Sequence, residues 1–143
     1  METMSIMLVD DEVRFLSTTK KILSKKGYSV YTACSAAEAL EKLEKHDIHV
    51  VVLDVKMPEM DGNTALKKIK SRYPKIEVIM LTGHATPDSA IDGLRSGAQD
   101  YLSKPADIND LVQKVEEAFE RRRRIEEKIR EASALKKSTE ISS

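Results

Sequence analysis

Cysteine is nearly absent from this chain, and so is any excess of charge. The single Cys34 among 143 residues rules out an internal disulfide and makes a reducing compartment, the cytoplasm, the expected setting. Lysine and arginine number 24, aspartate and glutamate 24, for a formal net charge of +0. That balance removes bulk attraction to nucleic acid or an anionic membrane, and only a local patch could supply it. No stretch approaches the roughly 18 apolar residues of a membrane span. The opening METMSIMLVDDE lacks a basic segment followed by a long apolar one, so it reads as a strand rather than a secretory signal. Neither G-x-x-x-x-G-K-[ST] nor G-x-G-x-x-G occurs, which argues against a nucleotide-binding switch.

What is present is enough for one folded domain: 41% hydrophobic and 34% charged residues. Ile6–Val9 is a short apolar run ending in Asp10-Asp11-Glu12, as expected of a strand buried on both faces. Val13, Leu16, Ile22 and Leu23 recur at helical spacing up to Lys26, and Gly27 ends that helix. Residues 28–33 read as a second strand, followed by a helix capped by Ser35, with Glu38 completing a capping box and Ala36, Leu40 and Leu43 facing inward. Residues 48–53 form the most apolar strand and end at Asp54. After the loop carrying Pro58 and Gly62, residues 64–73 are predicted helical, with Leu66 and Ile69 inward and Pro74 as the stop. A fourth strand covers 76–81 and ends at Thr82. A fourth helix starts at Thr86-Pro87 and ends before Gly97. A fifth strand covers 98–102, Lys104-Pro105 breaks the chain, and Asp107 caps the last helix.

Strand and helix alternate five times. The expected fold is therefore α/β, a doubly wound five-stranded parallel sheet in the flavodoxin-like order 2-1-3-4-5 with an extended C-terminal helix. Such sheets bind ligands beyond the carboxyl ends of their strands, where the strand order reverses. That rule gathers Asp10, Asp11, Asp54, Thr82 and Lys104 on one face. Three crowded carboxylates call for a proton or a cation, and a hard divalent ion is the ready solution. With Lys104 as a fixed positive charge, the group suits attack by an aspartate on phosphorus. Taken singly, each residue has a plainer explanation. An acidic pair can cap a helix, Thr82 can simply end a strand, and Tyr101 can be core.

Four segments carry a resemblance: Asp10-Asp11; Leu53-Asp54-Val55-Lys56-Met57-Pro58-Glu59-Met60-Asp61-Gly62; Leu81-Thr82-Gly83; and Tyr101-Leu102-Ser103-Lys104-Pro105. In that order, over about residues 4–120, the chain resembles the receiver domains of bacterial two-component response regulators, of the stand-alone kind found in chemotaxis. The resemblance implies that Asp54 accepts a phosphoryl group from a histidine kinase or a histidine phosphotransfer protein. It implies Mg²⁺ (or Mn²⁺) held by Asp11, Asp54 and the backbone carbonyl of Lys56, with Asp10 holding a metal-bound water. Lys104 would pair with the phosphoryl oxygens, aimed by a cis Lys104–Pro105 bond. Thr82 and Tyr101 would act as the switch pair, changing the surface of the fourth helix, fifth strand and fifth helix. Gly93 weakens that fourth helix by ~1 kcal/mol relative to alanine. The side chains of Lys56 and His84 occupy the positions that flank the phosphoryl group in this family and are expected to tune its lifetime.

The rest of the chain is less specific. Cys34 is expected to be a small buried residue, and His46 and His49, without metal spacing, are expected at the surface. The receiver is assigned to residues 1–120, and 121–143 to a charged helical extension with a disordered tail from Lys136. Leu111, Val115, Ala118, Ile125, Ile129 and Ala132 keep a 4-3 spacing that Arg122 interrupts. Either the extension pairs with a second chain as a short coiled coil, giving a homodimer, or it is a solvated helix supported by i,i+4 pairs such as Arg122–Glu126. Interleaved acids make nucleic-acid contact by the four consecutive arginines the weaker reading. Only 23 residues follow residue 120, so the expected output is partner binding or phosphoryl relay. Two alternatives remain. One is the receiver fragment of a transcription factor whose output domain is missing. The other is an aspartyl-nucleophile phosphatase resembling the haloacid dehalogenase group, which needs a second aspartate where Lys56 stands.

Overall fold

The computed structural model describes residues 3–54, 62–82, 97–98, 100–103 and 107–142. Five strands, β1 (Ser5–Val9), β2 (Ser29–Ala33), β3 (Val50–Asp54), β4 (Glu77–Thr82) and β5 (Asp100–Ser103), form one sheet in the order β2-β1-β3-β4-β5. Every pair is parallel. The helices are α1 (Val13–Lys25), α2 (Ala36–Lys45), α3 (Gly62–Arg72) and a C-terminal helix (Ile108–Ser142). The predicted fourth helix lies outside the described residues.

The central strands β1, β3 and β4 carry continuous apolar runs, Ile6–Val9, Val50–Leu53 and Val78–Leu81, because both of their faces are covered, whereas β2 at the sheet edge is mostly half-buried. Alternation along each strand divides the core in two. Met7, Val9, Val51, Leu53, Val78 and Met80 pack toward α2 and α3, against Ala39, Leu43, Leu66 and Ile69. Ile6, Leu8, Val50, Val52, Ile79 and Leu81 pack toward α1 and the C-terminal helix, against Leu16, Leu23, Leu111, Val115 and Phe119. The inward positions of α1 are Leu16, Thr19 and Leu23, whereas Val13, one of the apolar positions at helical spacing, is exposed in the first turn. A first-turn residue overhangs the end of the sheet, so the helical period overstates its burial.

Local signals set the helix ends. The Ser35 hydroxyl accepts from the Glu38 N–H at 3.1 Å, and the Glu38 carboxylate accepts from the Cys34 N–H at 3.0 Å. The reciprocal bond of the capping box thus reaches one residue upstream of the cap. That N–H and Lys42 hold the Glu38 carboxyl below its ordinary range. Asp107 caps the C-terminal helix by accepting from the Asn109 N–H at 2.7 Å. Cys34, expected buried, is exposed, because it lies in the short link between the end of β2 and the Ser35 cap. The C-terminal helix continues through Ser142, beyond the Lys136 limit expected for ordered chain. No glycine or proline interrupts Leu135–Ser142, so the backbone ladder has no local reason to stop there.

Gly27 ends α1 with φ +95°, donating to the Ser24 carbonyl at 3.0 Å, while Tyr28 donates to the Leu23 carbonyl at 3.4 Å. These are the two bonds of a Schellman termination. A Cβ placed at Gly27 meets nothing within 4 Å, so a substitution there strains the backbone and nothing else. Gly27→Ala is therefore expected to destabilise by ~1–2 kcal/mol in chemical denaturation with an unchanged m-value. A larger loss, or a changed m-value, would reveal packing that the geometry does not contain.

Candidate functional site

The register of the sheet builds the site. Val9, the last residue of β1, pairs with Leu53. Asp10 therefore leaves β1 at the level where β3 reaches Asp54. On its other side Asp54 pairs with Leu81, which places the backbone of Thr82 one step further along β4, opposite Ser103 of β5. All of these residues stand at the carboxyl ends of parallel strands. β2 lies on one side of β1 and β3 on the other, so the chain order reverses at Asp10 and Asp54.

Asp10, Asp11 and Asp54 each offer a carboxylate oxygen to a cluster whose members all lie within 4.8 Å of one another. Asp10 is 1% exposed and Asp54 5%, whereas Asp11 faces solvent. The Asp10 backbone N–H donates to the Ala33 carbonyl at 3.1 Å, and its Oδ1 accepts from the Glu12 N–H at 2.9 Å. These bonds hold the residue and its carboxylate while α1 begins three residues later, at Val13. An isolated buried carboxylate is costly, and two side by side repel. Opposite oxygens around Mg²⁺ stand ~4.2 Å apart. Among the described residues the donor set is all oxygen, and with its spacing it fits a hard divalent cation, Asp11 being exposed to solvent. Among the described residues this is the one such acidic cluster found.

The remaining predicted residues divide plainly. Thr82 and Tyr101 lie in β4 and β5 and are described by backbone alone. Lys56, His84, Lys104 and Pro105 lie outside the described residues, and with them the cis-peptide expectation. His46 is exposed as expected, its ring centroid 4.5 Å from that of Tyr31. His49 is a correction. It was expected at the surface and is buried, its Nδ1 accepting from the Ser5 N–H at 3.0 Å and its ring edge-on to Phe119. It closes the amino ends of β1 and β3, a role that residue spacing does not encode.

Sequence reasoning also missed a polar group at that same end, made of Glu77, Lys70, Arg121 and Arg122. Its signal was available, as a glutamate opening an apolar strand and an arginine interrupting an apolar helical period. Burial pushes the Glu77 carboxyl up, against the opposing pull of Arg121, Lys70 and Arg122. Burial pushes Lys70 down, and its ammonium donates to the Pro74 and Ile76 carbonyls at 3.0 and 2.8 Å.

Comparison with known proteins agrees with this geometry. The profile of the response regulator receiver domain matches residues 6–116. The transcriptional regulatory protein ZraR of Escherichia coli K12 is 33% identical over 118 residues, covering 82% of this chain and 27% of ZraR. The chain thus spans about a quarter of the length of that curated relative. A receiver domain protein (CheY-like) from Methanospirillum hungatei superposes with TM-score 0.83 at 33% identity, covering 86% of this chain and 98% of that one. The beryllofluoride-activated NtrC4 receiver domain dimer superposes with TM-score 0.79 at 35% identity, covering 82% and 98%.

If the carboxylates repel as placed, Asp54→Asn will raise stability in the absence of divalent cations by about 1–2 kcal/mol. Millimolar Mg²⁺ should narrow or reverse that difference, because the parent gains more from the cation. Melting curves with EDTA and with Mg²⁺ measure both. An equal gain in the two buffers would mean that the cluster does not hold the ion.

Proposed function

The chain belongs to the response regulator receiver domain family, and from that premise we propose that it is a phospho-accepting switch of a two-component system, with Asp54 as the acceptor. The observation that carries the reading is the convergence of Asp10 and Asp11 on Asp54, within 4.8 Å, at the reversal of strand order. An Asp54 Oδ attacks phosphorus while the P–N bond of a phosphohistidine breaks, its electron pair returning to the imidazole of a histidine kinase or phosphotransfer protein. The product is an acyl phosphate. Asp11, Asp54 and the Lys56 carbonyl would hold Mg²⁺ (or Mn²⁺) directly, and Asp10 would hold it through water. The bound cation supplies charge neutralisation for the transferring oxygens. Lys104 pairs with those oxygens. Thr82 turns toward the new phosphoryl group, and Tyr101 follows into the space it leaves. The surface of the fourth helix, fifth strand and C-terminal helix then changes for a partner. The domain catalyses only its own phosphorylation and dephosphorylation, in the cytoplasm.

Two features of the output belong to the same proposal. The chain spans about a quarter of ZraR, a transcriptional regulator, which favours a second reading as the receiver portion of a longer regulator of that kind. Ile125 and Ile129, 49% and 47% exposed four residues apart, support pairing of the C-terminal helix with a second copy.

Incubation with Mg²⁺ and acetyl phosphate is expected to add one phosphoryl mass to the parent and none to Asp54→Asn. If no adduct forms and beryllofluoride also fails to bind, the fold is kept without the switch. Lys56 and His84 are expected to set the lifetime of the adduct. Replacing both with alanine should change the rate of mass loss, and an unchanged rate removes that assignment.

A further inference from the structure

The amino ends of β3 and β4 hold more charge than a sheet edge needs. Arg122 is nearly buried and uses its guanidinium on three acceptors. Its Nη1 donates to the carbonyls of Ile48 and His49 at 3.2 and 3.3 Å, and its Nε donates to Glu126 Oε1 at 3.1 Å. The His49 carbonyl also accepts from the Glu77 N–H at 3.1 Å, so Arg122 attaches where β3 and β4 begin. Next to it, Arg121 Nε lies 3.6 Å from the buried Glu77 carboxylate, an ion pair without hydrogen-bond geometry. Consecutive residues on a helix point about 100° apart. Two neighbouring arginines anchored on two adjacent strands therefore resist rotation of the helix about its axis as well as its lifting away.

Among the residues whose side chains are described, this attachment is the last hydrogen bond or ion pair seen between the helix and the sheet. Ala118 and Phe119 are the final apolar residues of the core, and past Arg122 only Glu126, the Arg122 partner, is less than exposed up to Lys136. A further ~30 Å of helix follows at 1.5 Å per residue. A buried arginine at this place has no role in the carboxylate cluster, which stands at the opposite end of the strands. An extension that served only as a solvated end would not need it.

We propose that Arg121 and Arg122, with Glu77 and the Ile48 and His49 carbonyls, form a lock that makes the helical extension one rigid body with the sheet. The extension is then a lever whose direction is set by β3 and β4, the strands that carry Asp54 and Thr82 at their other ends. The lock does not rest on phosphoryl transfer and stands whether or not Asp54 is the acceptor.

Exposed Cys34 and a second cysteine introduced as Glu131→Cys provide two spin-label sites on the full chain, diluted with unlabelled protein so that distances within one molecule are read. A narrow distance distribution is expected in the otherwise unaltered chain. Arg121→Met combined with Arg122→Met keeps the apolar stems and removes the fork, and should lose the narrow component while circular dichroism and the melt persist. Arg123→Met, which removes only the exposed pair with Glu120, should leave it intact. A broad distribution before the arginines are changed, or a narrow one after both are replaced, overturns the lock. If the double variant does not fold, hydrogen exchange on the natural chain decides. Amides 121–128 as protected as 111–119 support the lock, and amides exchanging as fast as 131–136 refute it.

Discussion

Direct pairing of β1 with β3 is the constraint on which the rest of this molecule depends. Because β2 is placed outside β1, two carboxylates separated by more than forty residues of chain stand at neighbouring strand ends. A one-residue slip would turn Asp54 to the other face and part it from Asp10. The register resists slipping because both faces of β3 are sealed in separate apolar clusters, so every residue of the strand would exchange one fitted environment for another. The geometry of an acidic site is thus held by side chains that carry no charge.

The two ends of the sheet treat charge in opposite ways. At the carboxyl ends, the described residues gather like charges, with Asp11 exposed, an arrangement that favours an added cation. At the amino ends, unlike charges and backbone carbonyls are brought together around the buried Glu77 and Arg122, with Lys70 and Arg121 half-buried beside them. Lys70, Arg121 and Arg122 face Glu77 and a row of strand-start carbonyls, and the His49 ring closes the corner. Burying such a group is worthwhile for specificity of attachment more than for net stability, since desolvation opposes most of the attraction. The first end is built to respond to a ligand and the second to hold still.

Much of this was legible from residues alone. The apolar runs, the Ser35–Glu38 cap, the Asp107 cap and Gly27 mark element ends through short-range chemistry, and the structure places those ends within a few residues of expectation. The acidic cluster was legible too, because strand-end carboxylates become meaningful once a parallel order is assumed. Cys34 and His49 were misread because residue type and metal spacing say nothing of what packs over a strand end, and Val13 shows the same limit of helical spacing. Periodicity reports the face of an element, not whether a neighbour covers that face at its end.

The sequence by itself determined the alternation of strand and helix, the two-sided burial of the strands and the identity of the polar residues at their ends, since these follow from local propensity and apolar spacing. Tertiary structure decided which strand ends meet, how closely Asp10, Asp11 and Asp54 approach, and that Arg122, an interruption of the helical pattern, is a tie to the start of β3. Those outcomes depend on the register and on solvent exclusion between segments far apart in the chain, which no local pattern of residues records.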